Sequence, residues 1–310
     1  MKKILAGIGL SLVVLVVAGF AFFFIRQKFA NAQIEEERQS GSVVKINDLG
    51  TTDKLEILPL FENDGDSNTF QVGHGVSYLV RTDQTTLLVD VGFIPNKTDP
   101  SPVTQNMDKL GVTWDEIDAI LISHPHPDHL GGTDAWLAKT ISFGSQNVDL
   151  SGKNLYAPVP LTYPGVSITV TKDPTVISTG VATIGVLSYP EVMPVSVLNP
   201  KGYEQSLAVN VSGKGILLIT GCGHPTLERL VLRAEEVFGK PVIGIVGGLH
   251  YGDAGAEQLA PHIEFLKERG PLLVSLSPHD SSPSVIEAFR SAFPGAYQEI
   301  KIGQPIMFQN

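Results

Sequence analysis

The chain has 310 residues, is 43% hydrophobic and 17% charged, and carries a formal net charge of −10. That length and apolar content allow a sizeable core and exclude a chain disordered overall, while the acidic balance argues against a nucleic-acid backbone as the main partner, because phosphate binding wants a basic surface. The single cysteine, Cys222, excludes an intramolecular disulfide and a thiolate-rich zinc site, so a metal site here is expected to use His and carboxylate ligands.

At the N-terminus, Lys2 and Lys3 precede the uncharged run 4-ILAGIGLSLVVLVVAGFAFFFI-25. At 1.5 Å rise per residue this run reaches about 33 Å, enough to cross a hydrocarbon core of roughly 30 Å. It exceeds the usual secretory apolar stretch of about 7–15 residues. Arg26 and Lys28 also stand between it and the A-x-A-like site 30-ANA-32. The expectation is an uncleaved membrane anchor over 1–32, with a cleaved signal as the alternative. The two lysines on a short tail favour a cytoplasmic N-terminus, with the bulk of the protein outside the cytoplasm. Residues 33–51 are polar, lack a sustained apolar stripe and are expected to form a tether; 52–310 is the folded domain.

From residue 54 the pattern alternates between strands and helices. The runs 54-KLEILPL-60, 76-VSYLVRT-82 and 86-TLLVDVG-92 predict strands, followed by a helix near 103–111 and the apolar strand 118-DAILIS-123. A helix is expected over 131–139. Residues 150–200, rich in Val, Thr, Pro and Gly, predict short strands and loops that wall a pocket. The pair 206-SLAVNVS-212 and 215-GILLITG-221 comes next. Three strand–helix units then close the chain: helix 225–239, strand 242–247, helix 256–269, strand 271–276 and helix 283–293.

The chemistry gathers at 121-LISHPHPDHLGG-132. Pro125 and Pro127 hold φ near −65° and lack N–H donors, so the segment His124–His129 is expected to be a stiff loop, neither helix nor strand. A stiff loop at a strand end can hold several side chains convergent with little ordering entropy, and imidazole with carboxylate suits zinc, manganese or iron. One hexapeptide cannot complete such a site. Of the other histidines, His224, His250 and His279 follow predicted strands, where ligands gather in α/β sheets. His74 lies between glycines and is expected to shape the pocket. Cys222 lacks an evident base partner and reads as a buried structural thiol.

With these residues in place, the chain resembles the metallo-β-lactamase-fold metallohydrolases. The resemblance runs over about 52–310 and rests on Asp90 in 87-LLVDVG-92, on H-x-H-x-D-H-x-G-G, and on His224 and His279 further along. The stretches 74-HGVSYLV-80, 106-NMDKLGV-112, 204-EQSLAVN-210, 221-GCGH-224 and 247-GGLH-250 are similar to the subgroup of dihydropterin–ribofuranosylaminobenzene phosphate synthases. This chain departs from that subgroup at 279-HDSS-282, where His-Cys-Thr-Gly is common. Where much of the superfamily has a bridging aspartate, it has His250.

The resemblance implies an αββα sandwich, here behind an N-terminal transmembrane helix, holding two divalent cations, zinc in the first instance, with manganese or iron as alternatives. His124, His126 and His224 would hold the first. Asp128, His129 and His279 would hold the second, with His250 near by. Asp90 would orient loop groups by hydrogen bonds, and His74 would touch a small-molecule substrate. Asp128 would also be catalytic, orienting a metal-bound hydroxide and shuttling a proton. The implied activity is hydrolysis of an ester, amide, lactone or phosphoester; a pterin-synthase-like transferase, a non-catalytic metal-binding module and a true β-lactamase are the alternatives.

Overall fold

A computed structural model of the chain describes residues 2–41, 43–145 and 147–309. In it the N-terminal apolar run is the first part of one long helix, α1 (Lys2–Ser40), of 39 residues. The helix outruns the apolar run because 26-RQKFANAQIEEERQS-40 is rich in strong helix formers and contains no Gly or Pro. The stretch expected to be a tether is therefore helical up to Ser40, and extended chain begins only beyond that residue.

The chain divides into two compact units, Met1–Ser42 with Ser188–Gly202, and Val43–Leu187 with Tyr203–Asn310. In the larger unit, strands β1 (Lys54–Phe61), β2 (Ser77–Thr82) and β3 (Thr86–Val89) form an antiparallel meander. Helix α2 (Pro102–Leu110) begins at Ser101, whose side chain accepts from the Thr104 N–H. It leads to β4 (Ala119–Leu121), parallel to β3. The histidine loop comes next. It is not wholly irregular: Pro127–Leu130 makes a helical turn, α3, with Pro127 in the first turn, where a missing N–H costs nothing. Gly131 ends it at φ 89°, and a Cβ there would lie 2.2 Å from the Ser142 carbonyl oxygen, so the first glycine of the Gly-Gly pair is sterically required. After α4 (Thr133–Ala138), parallel strands β5 (Asn154–Ala157) and β6 (Ile168–Val170) finish this side of the sheet.

The second sheet starts with β7 (Val176–Ser178) and β8 (Val181–Thr183). Next come β9 (Leu187–Pro190), the short helix α5 (Val195–Leu198) and β10 (Lys201–Glu204), with β9 and β10 forming a separate ladder. The expected pair is present as β11 (Leu207–Val211) and β12 (Gly215–Thr220), and then α6 (Leu227–Phe238), β13 (Val242–Gly247), α7 (Ala256–Lys267), β14 (Leu273–Leu276) and α8 (Pro283–Ala292). Strands β12, β13 and β14 are parallel. A last strand, β15 (Ile306–Gln309), pairs antiparallel with β1 at the edge of the first sheet, with Leu55 opposite Phe308. The sequence pattern does not predict this strand.

Side-chain alternation sorts the larger unit into layers. Ile57, Tyr78, Val80, Leu87, Val89 and Leu121 meet Leu207, Val209, Leu217, Ile219 and Val246 in an inter-sheet core. Their neighbours Leu58, Leu79, Leu88 and Ile120 point the other way, onto Val103 and Met107 of α2. Likewise Ala208, Ile216 and Leu218 pack against Leu230, Val231 and Phe289 of α6 and α8. The architecture is a mixed αββα arrangement, as expected from period-two strands with both faces apolar.

One carboxyl joins the two sheets. Buried Glu62 accepts from Tyr78 Oη at 2.6 Å, from Ser277 Oγ and from the Asn63 N–H at 2.9 Å. Burial nonetheless pushes it from 4.5 up to about 7. A folded-state value above the unfolded one means that this stabilisation is whole below about pH 4.5 and is lost as pH rises through about 7. Its size is about 3 kcal/mol. Glu62→Gln in the metal-free protein should therefore flatten stability against pH across that window, as read from denaturant midpoints. An unchanged slope would show that the carboxyl is already ionised.

Candidate metal centre

The site is built at the carboxyl ends of β3, β4, β12, β13 and β14, so parallel neighbours deliver their loops to one place. Immediately after β3, Asp90 takes φ 59°, a left-handed conformation that Asp tolerates and that ends the strand two residues earlier than its apolar run suggests. Fully buried, Asp90 accepts from the Ser123 N–H at 2.7 Å, from Ser123 Oγ at 2.6 Å and from His129 Nδ1 at 2.7 Å.

These bonds determine tautomers. An ionised carboxylate only accepts, so the Ser123 hydroxyl proton goes to Asp90. The Ser123 oxygen must then accept from His124 Nδ1, 2.9 Å away. His124 Nε2 is left as an acceptor, 3.1 Å from His126 Nδ1. Burial and the imidazoles of His129, His126 and His224 hold His124 well below the usual range, so it is neutral. His129, with Nδ1 on Asp90, turns Nε2 toward Cys222 Sγ at 3.2 Å. Burial opposes a charge on His129, but Asp90 and Asp128 outweigh it and raise its value to about 9 in the metal-free protein.

His224 is held the same way by Glu204, a residue whose role no sequence motif marks. Glu204, fully buried, receives His224 Nδ1 at 2.8 Å and the backbone N–H groups of Gly223 at 2.7 Å and His224 at 2.9 Å. Burial would raise its carboxyl; the bonds from His224 and the backbone outweigh burial and hold it low. Carboxylates that fix Nδ1–H and leave Nε2 as the acceptor nitrogen are the usual partners of metal-ligating histidines.

The first expected trio converges. Ring centroids lie 4.6 Å apart for His124 and His126, 4.7 Å for His124 and His224, and 4.9 Å for His126 and His224. In the second trio, His279 Nε2 lies 3.0 Å and His129 Nε2 4.0 Å from Asp128 Oδ2. Burial works against ionised Asp128, but His129, His279 and His74 hold its carboxyl well below the usual range. His279 differs from the other rings: its Nδ1 accepts from the Gly75 N–H at 2.9 Å, so Nε2 carries the proton given to Asp128.

Two expectations shift. His250, expected beside the second cation, is exposed. It takes φ 53° and lays its ring over that of His224, with centroids 4.4 Å apart. Among the described residues it, like His126, joins none of the ligand groups whose donor atoms lie within 4.8 Å of one another. The reason is local: its N–H is held by Asp280 Oδ2 at 2.9 Å, which sets the turn. Asp280 stands where the subgroup has cysteine. It is half-buried, and burial, with Glu62 and Glu204 near by, pushes its carboxyl up to about 8. His74 does reach the site. Its Nε2 is 3.3 Å from Asp128 Oδ2, and with Asp128 and His279 it forms one of the groups able to hold an ion.

The donor set suits a divalent cation. His124, His129 and His224 have Nδ1 bound to Ser123, Asp90 or Glu204, so ligation falls to Nε2, with an ionised carboxylate beside them. At His279, and at His129 with its value raised to about 9, ligation at Nε2 has to displace a proton.

A family model described as the metallo-beta-lactamase superfamily matches residues 71–141. A 7,8-dihydropterin-6-methyl-4-(beta-D-ribofuranosyl)-aminobenzene-5'-phosphate synthase from Methanocaldococcus jannaschii is 24% identical over 296 residues, which is 85% of this chain and 100% of that protein. Among solved structures, Tm1679, described as a metal-dependent hydrolase of the beta-lactamase superfamily, aligns with a TM-score of 0.59 at 21% identity, covering 83% of this chain and all of that one. The metallo-beta-lactamase fold protein YhfI from Bacillus subtilis aligns at a TM-score of 0.53 and 14% identity, with the same coverage. These structural likenesses concern the fold.

Proposed function

Because the chain carries a metallo-β-lactamase superfamily domain, a superfamily whose members are often metal-dependent hydrolases, we propose that it is such a hydrolase, acting on a small-molecule ester, amide, lactone or phosphoester. The observation that carries this reading is the convergence of His124, His126 and His224, with His129 and Asp128 adjoining them. In this reading His124, His126 and His224 hold one divalent cation and Asp128, His129 and His279 a second, zinc being the best match to imidazole-rich ligands. When bound, such cations acidify a water and polarise a substrate oxygen. The chain's own residues do the rest. Asp90 and Glu204 hold the rings in register. Asp128, kept ionised by the histidines around it, would orient the water by accepting its hydrogen bond and pass a proton on, and exposed His74 would meet the substrate at the rim.

The location belongs to the same proposal. By length and composition alone, α1 is long enough, and over part of Leu15–Gln39 apolar enough, to cross a membrane, and Phe20, Phe22 and Phe24 are exposed on it. We read this as an anchor with the catalytic domain outside the cytoplasm, or as an export signal if it is cleaved.

A second reading, a transferase of the pterin-synthase kind, is favoured by the end-to-end match to that relative. The two separate by assay of the full chain in detergent, stripped with chelator and reloaded with zinc or manganese. The hydrolase reading expects cation-dependent turnover of at least one class among esters, lactones and phosphoesters. Formation of the product named for that relative, without hydrolysis, supports the transferase. Binding of cations with neither activity leaves a metal-binding module.

A further inference from the structure

Cys222 sits where a buried structural thiol has no reason to be. It is nearly inaccessible, yet among the described residues it belongs to none of the three apolar clusters that make the cores. Its surroundings are polar: its N–H donates to Glu204 Oε1 at 3.2 Å and its sulfur lies 3.2 Å from His129 Nε2. The sulfur is also common to two ligand groups, one with His124 and His224 and the other with His129 and His279, each with all donor atoms within 4.8 Å of one another. Each group shares two of the three residues that hold one cation in the proposed function.

We propose that Cys222 is a ligand shared by both cations, doing through sulfur what a bridging carboxylate does elsewhere. This rests on the two-cation reading above. Two features of the chain leave the post open. His250, the residue in the bridging segment, is turned onto His224 and out of the ligand groups. His279 offers Nε2 with its proton on, so the second position is short of a ready donor. On binding, the S–H bond would break and its proton leave to solvent; the pair left on sulfur would bond one cation and a second sulfur lone pair the other. A soft donor at the shared position also selects among metals: it favours zinc, or its spectroscopic substitute cobalt(II), over manganese or magnesium.

The chain has only one cysteine, so any sulfur-to-cobalt charge-transfer absorption reports on this residue without a mutation. The test titrates cobalt(II) into the chelator-stripped full chain in detergent, with metal analysis alongside. The proposal expects a near-ultraviolet sulfur band that grows with the first equivalent and again with the second. Two bound cobalt ions with no such band overturn it, as does a band that saturates at the first equivalent, which makes the sulfur a ligand of one ion only. Failure to bind cobalt at all overturns the two-cation reading itself. Cys222→Ser, checked for wild-type thermal unfolding in the stripped state, should lose the band. Its affinity for the second cation should fall by at least the roughly 10–100-fold that accompanies loss of a ligand's hydrogen-bond partner. The preference for zinc over manganese should narrow. A serine variant that keeps both ions at wild-type affinity refutes the proposal even if it folds normally.

Discussion

On the proposed two-cation reading, replacing His224 by alanine should lower the bound cation from about two per chain to about one, and should take turnover to the level of the chelated protein. His224 closes the first trio: its ring stands 4.7 Å from that of His124 and 4.9 Å from that of His126. A structural site of this kind needs three or four protein donors. With that donor gone, affinity falls by more than the roughly 10–100-fold typical of losing a supporting hydrogen bond to a ligand. The alanine also strands Glu204, whose buried carboxylate loses the ring it holds at 2.8 Å. The variant should therefore also be less stable without metal, whereas His126→Ala, at the half-buried end of the trio, should lose metal with little change in metal-free stability. Metal analysis after desalting and thermal unfolding of the stripped proteins read the two effects separately. Wild-type stoichiometry in both variants would remove these residues from the ligand set.

The second large effect belongs to Asp90. Asp90→Asn keeps the left-handed backbone, which Asn also tolerates, but the amide cannot accept from Ser123 and His129 together as the carboxylate does. Removing one partner of a buried charged pair costs about 3–5 kcal/mol. The pH dependence identifies the cause. His129 is raised to about 9 in the folded, metal-free protein against 6.5 unfolded, so its contribution is whole below about pH 6.5 and is lost as pH rises through about 9. The gap in unfolding free energy between wild type and variant should be widest near pH 6 and should close toward pH 9. A gap below about 1 kcal/mol, or one independent of pH, contradicts the hub role assigned to Asp90.

Much of the larger unit was legible because the signals are local. Period-two alternation in 54-KLEILPL-60 and 86-TLLVDVG-92 places Ile57 and Leu87 on one face and Leu58 and Leu88 on the other, as the layers require. The errors are local as well. The turn at Pro127–Leu130 uses a proline that, in sequence, reads as a bar to helix, and α1 continues on helix formers past its apolar run. Strand β15 carries little pattern of its own; it is a strand because β1 offers it an edge.

What the sequence determined by itself is the reactive segment. His124, His126, Asp128 and His129 lie within six residues, and two prolines limit where they can point, so their joint purpose is written in one dimension. What only the tertiary structure decided is which nitrogen each ring offers and who stands opposite. Glu204 acts on His224 from 20 residues away, and Asp90 on His129 from 39. Cys222 meets His129 across 93 residues and Gly75 meets His279 across 204. Side-chain identity specifies the donors and acceptors available, but a tautomer, and hence a ligand atom, is chosen by the hydrogen bond at the other end of the ring, and that partner is supplied by the packing of two sheets.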